Sequence, residues 1–124
     1  MTEANAALNH IFLPLPWHSE QWQSFNDRIA DQRLPHALIV NGLEGVGAEY
    51  LAFALAYRML CNQVDGGIPC GQCSGCLTLK AGSHPDFYHV LPQEKSKFIK
   101  VDQIRSLCES IAKASQQGGW KVVI

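Results

Sequence analysis

The sequence has no run of about eighteen apolar residues free of charge, so nothing in it reads as a membrane-spanning helix. Its N-terminus also lacks the basic stretch and following apolar run of a secretory signal. Neither sign of charge is in excess: 10 Lys and Arg face 11 Asp and Glu, giving a net charge of −1 and a pI near 6.5. A chain this neutral carries no overall electrostatic footprint for nucleic acid, and any DNA contact is expected to be local or shared with partners. The cysteine count is five, and four of the five lie between positions 61 and 76. That clustering fits metal binding in a reducing compartment better than a disulfide framework, and places the chain in the cytoplasm as an expectation. What the chain does have is 47% apolar residues over 124 positions, enough for one domain with a core and too little for two.

Residues 1–15 are polar and then Pro-interrupted, with no periodic apolar face, and are expected to form a flexible leader into Pro16-Trp17. From Ser19, a candidate N-cap, Trp22, Phe25 and Ile29 recur at helical spacing and predict an amphipathic helix over 19–32, with Trp22 and Phe25 facing the core. Pro35 ends it. Ala37-Leu38-Ile39-Val40-Asn41 is a short apolar run of the kind that forms a buried parallel strand. After a Gly-rich turn, residues 48–61 are free of Gly and Pro and rich in Ala and Leu, which predicts a helix apolar on most faces. Residues 62–82 interrupt this pattern with Gly, Pro and Cys, and need a staple to hold them. Residues 86–91 read as a second strand and residues 120–124 as a third. Between them Val101, Ile104, Leu107 and Ile111 mark an amphipathic helix, with Asp102 in its first turn and Gly118-Gly119 closing the element. Alternating strands and helices predict an α/β fold with a parallel sheet, and further elements are expected after the third strand.

The loop Gly42-Leu43-Glu44-Gly45-Val46-Gly47-Ala48-Glu49 lies where a strand meets a helix, and Gly42 and Gly47 have the spacing of the phosphate-binding pattern G-x-x-x-x-G-K-[ST]. In a working loop the Lys neutralises phosphate charge and the Ser or Thr ligates Mg²⁺. Here those positions hold Ala48 and Glu49. The cation is lost, and the carboxylate at the helix start would repel a triphosphate, so tight ATP binding is not expected. A tight turn with three glycines and no phosphate ancestry is the competing reading.

Cys61-x8-Cys70-x2-Cys73-x2-Cys76 supplies four thiols whose C-x2-C steps allow successive sulfurs to reach one tetrahedral Zn²⁺. Gly71 and Gly75 fall between ligands, where folding around a metal often needs positive φ. A closed four-cysteine shell leaves no position for water, so the metal's expected role is structural. Redox chemistry of free thiols is the alternative. Cys108 reads as a small buried apolar residue of the last helix. His84-Pro85-Asp86 brackets a strand entrance and is expected to fix a turn, and Lys95, Lys97 and Lys100 form a solvated connector. His10, His18, His36 and His89 show no metal-like mutual spacing and receive no role.

Taken in order, Pro16-Trp17, Leu34-Pro35-His36-Ala37-Leu38, the four cysteines, Ala81-Gly82-Ser83-His84-Pro85-Asp86, Val101-Asp102-Gln103-Ile104-Arg105 and Gly118-Gly119-Trp120-Lys121-Val122-Val123 resemble the N-terminal AAA+ domain of bacterial DNA polymerase III clamp loader subunits. The resemblance covers about residues 16–124 and is nearest to the delta-prime family. It implies a P-loop NTPase-like sheet flanked by helices, with a zinc-binding insertion at 61–82. The ATP-hydrolysing gamma/tau relatives look similar and also carry the zinc insertion, but would need Lys and Thr where this chain has Ala48 and Glu49. What the resemblance implies is a non-catalytic stator, without ATPase of its own, within the DNA polymerase III holoenzyme. Its partners would be gamma/tau and delta subunits and, through the complex, the sliding clamp and primed DNA. The family's arginine finger, collar domain and acidic pair are expected beyond Ile124, so no residue here takes those roles. An ATP-hydrolysing gamma/tau-type subunit and a free-standing zinc module binding nucleic acid are the competing functions.

Overall fold

The computed structural model describes residues 13–115 and 119–124. The expected leader lies outside them apart from residues 13–15, as do His10 and Gly118. Pro16–His18 form a 3-10 turn that runs straight into helix α1, Ser19–Ala30. Ser19 is therefore not the N-cap. It is already helical at φ −57° and ψ −40°, and His18 takes the cap position. The helix ends two residues short of the expected 32, because Gln32 turns the chain with a positive φ of 57°. Trp22 is buried, as its spacing requires, while Phe25 and Ile29 are half-buried.

Helix α2, Ala48–Leu60, is the centre of the molecule. Its Leu51, Phe53, Ala54, Ala56, Tyr57 and Leu60 are all buried, as expected of a Gly- and Pro-free run apolar on most faces. Trp22 of α1 joins that core on one side. On the other, Phe87, Val122 and Ile124 pack against it from two short strands, β1 at Phe87–Tyr88 and β2 at Val122–Val123. The strands pair in parallel, with Phe87 opposite Val122 and Tyr88 opposite Val123. Hydrogen bonds from Val122 N to Asp86 O, Ile124 N to Tyr88 O and Val90 N to Ile124 O carry the ladder past the two-residue strands, at 2.9, 2.9 and 2.7 Å. The fold is thus helices with a small two-stranded parallel sheet packed on α2, and its α/β character matches expectation.

Residues 37–41 depart from it. They form no strand: Ile39 is 95% and Leu38 44% exposed, and only Val40 reaches the core. A parallel strand needs partner strands at its edges and cover on both faces, and among the described residues none pairs with this segment. A cavity of about 800 Å³ separates it from β2, lined by Leu38, Val40, Leu55 and Val123.

Helix α3, Ser74–Lys80, falls inside the region read as irregular, and helix α4, Val101–Ile111, ends well before the expected glycine pair. Lys100 N donates to Gln103 Oε1 at 2.9 Å at the start of α4, and Asp102 sits in its first turn as expected. Cys108 is exposed, not buried, because α4 buries none of its residues. The lysines at 95, 97 and 100 are exposed, in keeping with a solvated connector. No helix among the described residues is long and apolar enough to cross a membrane.

The His84-Pro85-Asp86 turn is built as the sequence suggests: His84 Nδ1 accepts the Asp86 N–H at 3.0 Å, and both residues are buried. Burial lowers the pKa of His84 against an opposing pull from Asp86, and lowers that of His89, packed edge-on against Phe53 at 5.0 Å, against an opposing pull from Glu49. Both rings resist protonation in the fold but accept a proton at about pH 6.5 when unfolded. The unfolded chain then binds more protons below that value, so stability should hold above about pH 6.5 and fall as pH drops through it. Denaturant midpoints measured from pH 7.5 to 5 test this, with His84→Gln and His89→Gln flattening the slope.

Candidate metal centre and glycine loop

Cys61 follows the last residue of α2, Cys73 caps α3, and Cys76 lies in the first turn of α3, so two helix ends deliver three of the four thiols. Cys70 comes from the intervening loop. There Asp65 and Ile68 bridge antiparallel around Gly66 and Gly67, and Gly71 takes the expected positive φ of 75°. The Sγ atoms of Cys61, Cys70, Cys73 and Cys76 all lie within 4.8 Å of one another. Cys61 and Cys70 sulfurs are 3.6 Å apart, and those of Cys61 and Cys73 are 3.9 Å apart. Zinc–sulfur bonds of about 2.3 Å in a tetrahedron place neighbouring sulfurs about 3.8 Å apart. These two spacings fit that figure and are far beyond a disulfide bond of about 2.05 Å.

The polypeptide also prepares these sulfurs for negative charge. Backbone N–H groups of Gln63 and Cys70 point at Cys61 Sγ, those of Gln72 and Cys73 at Cys70 Sγ, and those of Asn62 and Cys76 at Cys73 Sγ, all at 3.3–3.4 Å. N–H donors favour thiolate over thiol. At Cys73, burial opposes ionisation, but donation from Asn62 and Cys76, helped by the Cys70 and Cys76 thiols, brings the pKa down to about 6. Burial pushes Cys61 up, and pushes the deeper Cys76 up further, where neighbouring sulfurs add repulsion. Four sulfurs crowded together cannot all ionise by themselves, and a divalent cation at their centre removes that conflict.

Gly75 contradicts its expected role and shows another. It has no positive φ, since it is helical; instead, a Cβ there would run into the Leu60 carbonyl at the end of α2. The missing side chain lets α3 press on α2 and bring Cys73 and Cys76 beside Cys61. Cys76 and Leu79 belong to the main core with Tyr57 and Leu60, so the cysteine module is continuous with the domain. Asn26 of α1 ties it further: its side chain accepts from Arg58 Nε at 2.8 Å and lies within 2.9 Å of the space a Gly67 Cβ would take.

The glycine loop keeps its backbone shape. Gly45 and Gly47 have φ of 91° and 81°, and Gly47 is the left-handed N-cap of α2 with its carbonyl accepting from Leu51 N at 2.9 Å. Positive φ costs a residue with a Cβ about 1–2 kcal/mol, and Leu15 and His18 leave no space for one at Gly47. Gly42 passes close under the Val46 side chain. Ala48 opens α2 and Glu49 is exposed in its first turn. Two residues without an assigned role hold this loop. Trp17 Nε1 donates to the Val46 carbonyl at 2.7 Å, and His18 Nε2 lies 2.8 Å from the same oxygen. That link escapes a motif search, because its acceptor is a main-chain oxygen at a position whose side chain carries no signal.

Comparison with known proteins gives a consistent relationship. The family described as "DNA polymerase III, delta subunit" matches residues 17–124. Relatives named "DNA polymerase III subunit delta'" include those of Escherichia coli strain K12, 34% identical over 108 residues, and of Pseudomonas aeruginosa, 36% identical over 109 residues. The Haemophilus influenzae relative of the same name is 38% identical over 109 residues. These alignments cover 87–88% of this chain and 32% of each relative, so the chain spans about a third of their length.

Proposed function

The chain belongs to the DNA polymerase III delta-subunit family, with delta-prime relatives, and from that premise we propose that it is the N-terminal AAA+ portion of a non-catalytic clamp loader subunit. Acting with gamma/tau and delta subunits in the cytoplasm, it helps place a sliding clamp on primed DNA. The observation that carries the non-catalytic part is the loop. Its backbone has the glycine geometry of a phosphate cradle, yet Ala48 offers no ammonium and Glu49 sets a carboxylate on the first turn of α2. Anions favour a helix N-terminus and a fixed carboxylate there opposes them. Trp17 and His18, gripping the Val46 carbonyl, then tie the start of α1 to this loop.

Cys61, Cys70, Cys73 and Cys76 would hold one Zn²⁺ as a structural tie between the end of α2 and the start of α3. The ion would supply a closed, redox-inert cross-link and no reaction chemistry. A free-standing nucleic-acid module is disfavoured by the burial of Cys76 and Leu79 in the domain core.

The full-length protein should bind no ATP at micromolar concentration and show no turnover above background, yet restore clamp loading when added to gamma/tau and delta subunits with ATP. Turnover by the isolated subunit would overturn the stator reading in favour of a gamma/tau-type enzyme.

A further inference from the structure

Helix α4 is attached differently from the other helices. α1, α2 and α3 each bury at least one side chain, whereas α4 buries none over its 11 residues, and its Val101 and Ile104 are 62% and 42% exposed. A helix of that length is marginal in water by itself, so tertiary ties must hold it. Leu107 is half-buried at mid-helix, and the hydrogen bonds that tie α4 to the other described residues lie towards its ends. Near the N-terminus, Gln103 Nε2 donates to the Leu91 carbonyl at 2.7 Å, just past β1. At the C-terminus, Lys121 Nζ donates to the Ile111 carbonyl at 2.6 Å from the approach to β2. Four residues further on, Ser115 Oγ donates to Asp86 Oδ2 at 3.0 Å and accepts the Gly119 N–H at 3.0 Å.

Asp86 is the fixed end of this arrangement. It is 1% exposed, its carbonyl accepts Val122 N in the sheet ladder, and its own N–H is held by buried His84. The Ser115 hydroxyl is the part that can let go, being a single neutral donor that water can replace. Packed segments open only with global unfolding, while segments held by a few exposed hydrogen bonds open separately.

We infer that α4 is a hinged helix, latched to the sheet by Gln103, Lys121 and the Ser115–Asp86 hydrogen bond, which swings free as a unit while α2 and the sheet stay folded. When it swings, the stripe of Val101, Ile104, Leu107 and Ile111 moves with it, so the orientation of that stripe is set by the latch.

Amide hydrogen exchange on the full-length protein tests this. Amides of α4 should exchange by a local opening well before those of α2. Ser115→Ala and Gln103→Ala should each speed exchange along the whole of α4 by about tenfold, the weight of one hydrogen bond, because a helix released as a unit is marginal in water. Neither change should alter α2. Acceleration confined to one half of α4 would mean fraying of an end and would overturn the unitary swing. Exchange in α4 as slow as in α2, or equal acceleration of both helices in either variant, would overturn the hinge.

Discussion

Cys76→Ser in the full-length protein is expected to abolish stoichiometric zinc and to unfold residues 61–80 while leaving α1 and the sheet in place. Structural zinc contributes apparent binding energies of about 10–16 kcal/mol in small modules, and loss of a metal is among the few single changes that exceed about 4 kcal/mol. The effect should be large here for a second reason. Cys76 is 1% exposed and sits in the core with Tyr57, Leu60 and Leu79. Without metal its sulfur is one of several crowded in a poorly solvated space, and α3 loses both its cap arrangement and its anchor. Elemental analysis should find about one zinc per chain in the parent protein and none in the variant. Limited proteolysis should open new cuts between 62 and 72, and a chelator should reproduce them in the parent. Cys108→Ser, at an exposed thiol on α4, is the matched control and should change neither reading. Full zinc content in Cys76→Ser, or unchanged protease resistance after chelation, would refute the four-cysteine site.

The parts legible in the sequence are those where local pattern and burial coincide. Helix α2 could be read because a run without Gly or Pro has little choice but helix, and its apolar residues on most faces meant a central position. Trp22 followed from helical spacing. The clustering of the four cysteines was legible because short C-x2-C steps keep successive sulfurs within reach of one another. Residues 37–41 show the limit of that reading. Their composition says buried strand, but burial of a strand depends on strands beside it, and Leu38 and Ile39 remain exposed where no described residue pairs with them. Cys108 failed similarly, since it follows apolar Leu107 but α4 buries none of its residues among those described. Helix α3 was missed because seven residues give too short a period, and Gly75 and Cys76 speak against helix by propensity. The Trp17 and His18 ties to Val46 were missed because a backbone carbonyl leaves no trace in residue identity.

Gly75→Ala separates propensity from packing, since the two predict opposite signs. Alanine in a helix interior is favoured over glycine by about 1 kcal/mol, so α3 considered alone should gain. In the domain, the added methyl meets the Leu60 carbonyl, a backbone oxygen at the C-terminus of α2 that cannot turn aside as a side chain can. The helices must separate. Leu60 immediately precedes Cys61, and Gly75 lies between Cys73 and Cys76, so the separation draws the first thiol from the last two. A tetrahedral shell with sulfur–sulfur edges of about 3.8 Å tolerates little of this. Overpacking of a fixed contact costs about 1–3 kcal/mol, and weakened metal binding adds to it, so a net loss of about 2 kcal/mol or more is expected. Zinc affinity, measured by competition with a chromogenic chelator, should fall by at least about tenfold, a drop that corresponds to about 1.4 kcal/mol. A variant as stable as the parent with undiminished zinc affinity would mean that α3 docks on α2 less closely than the Gly75–Leu60 contact requires.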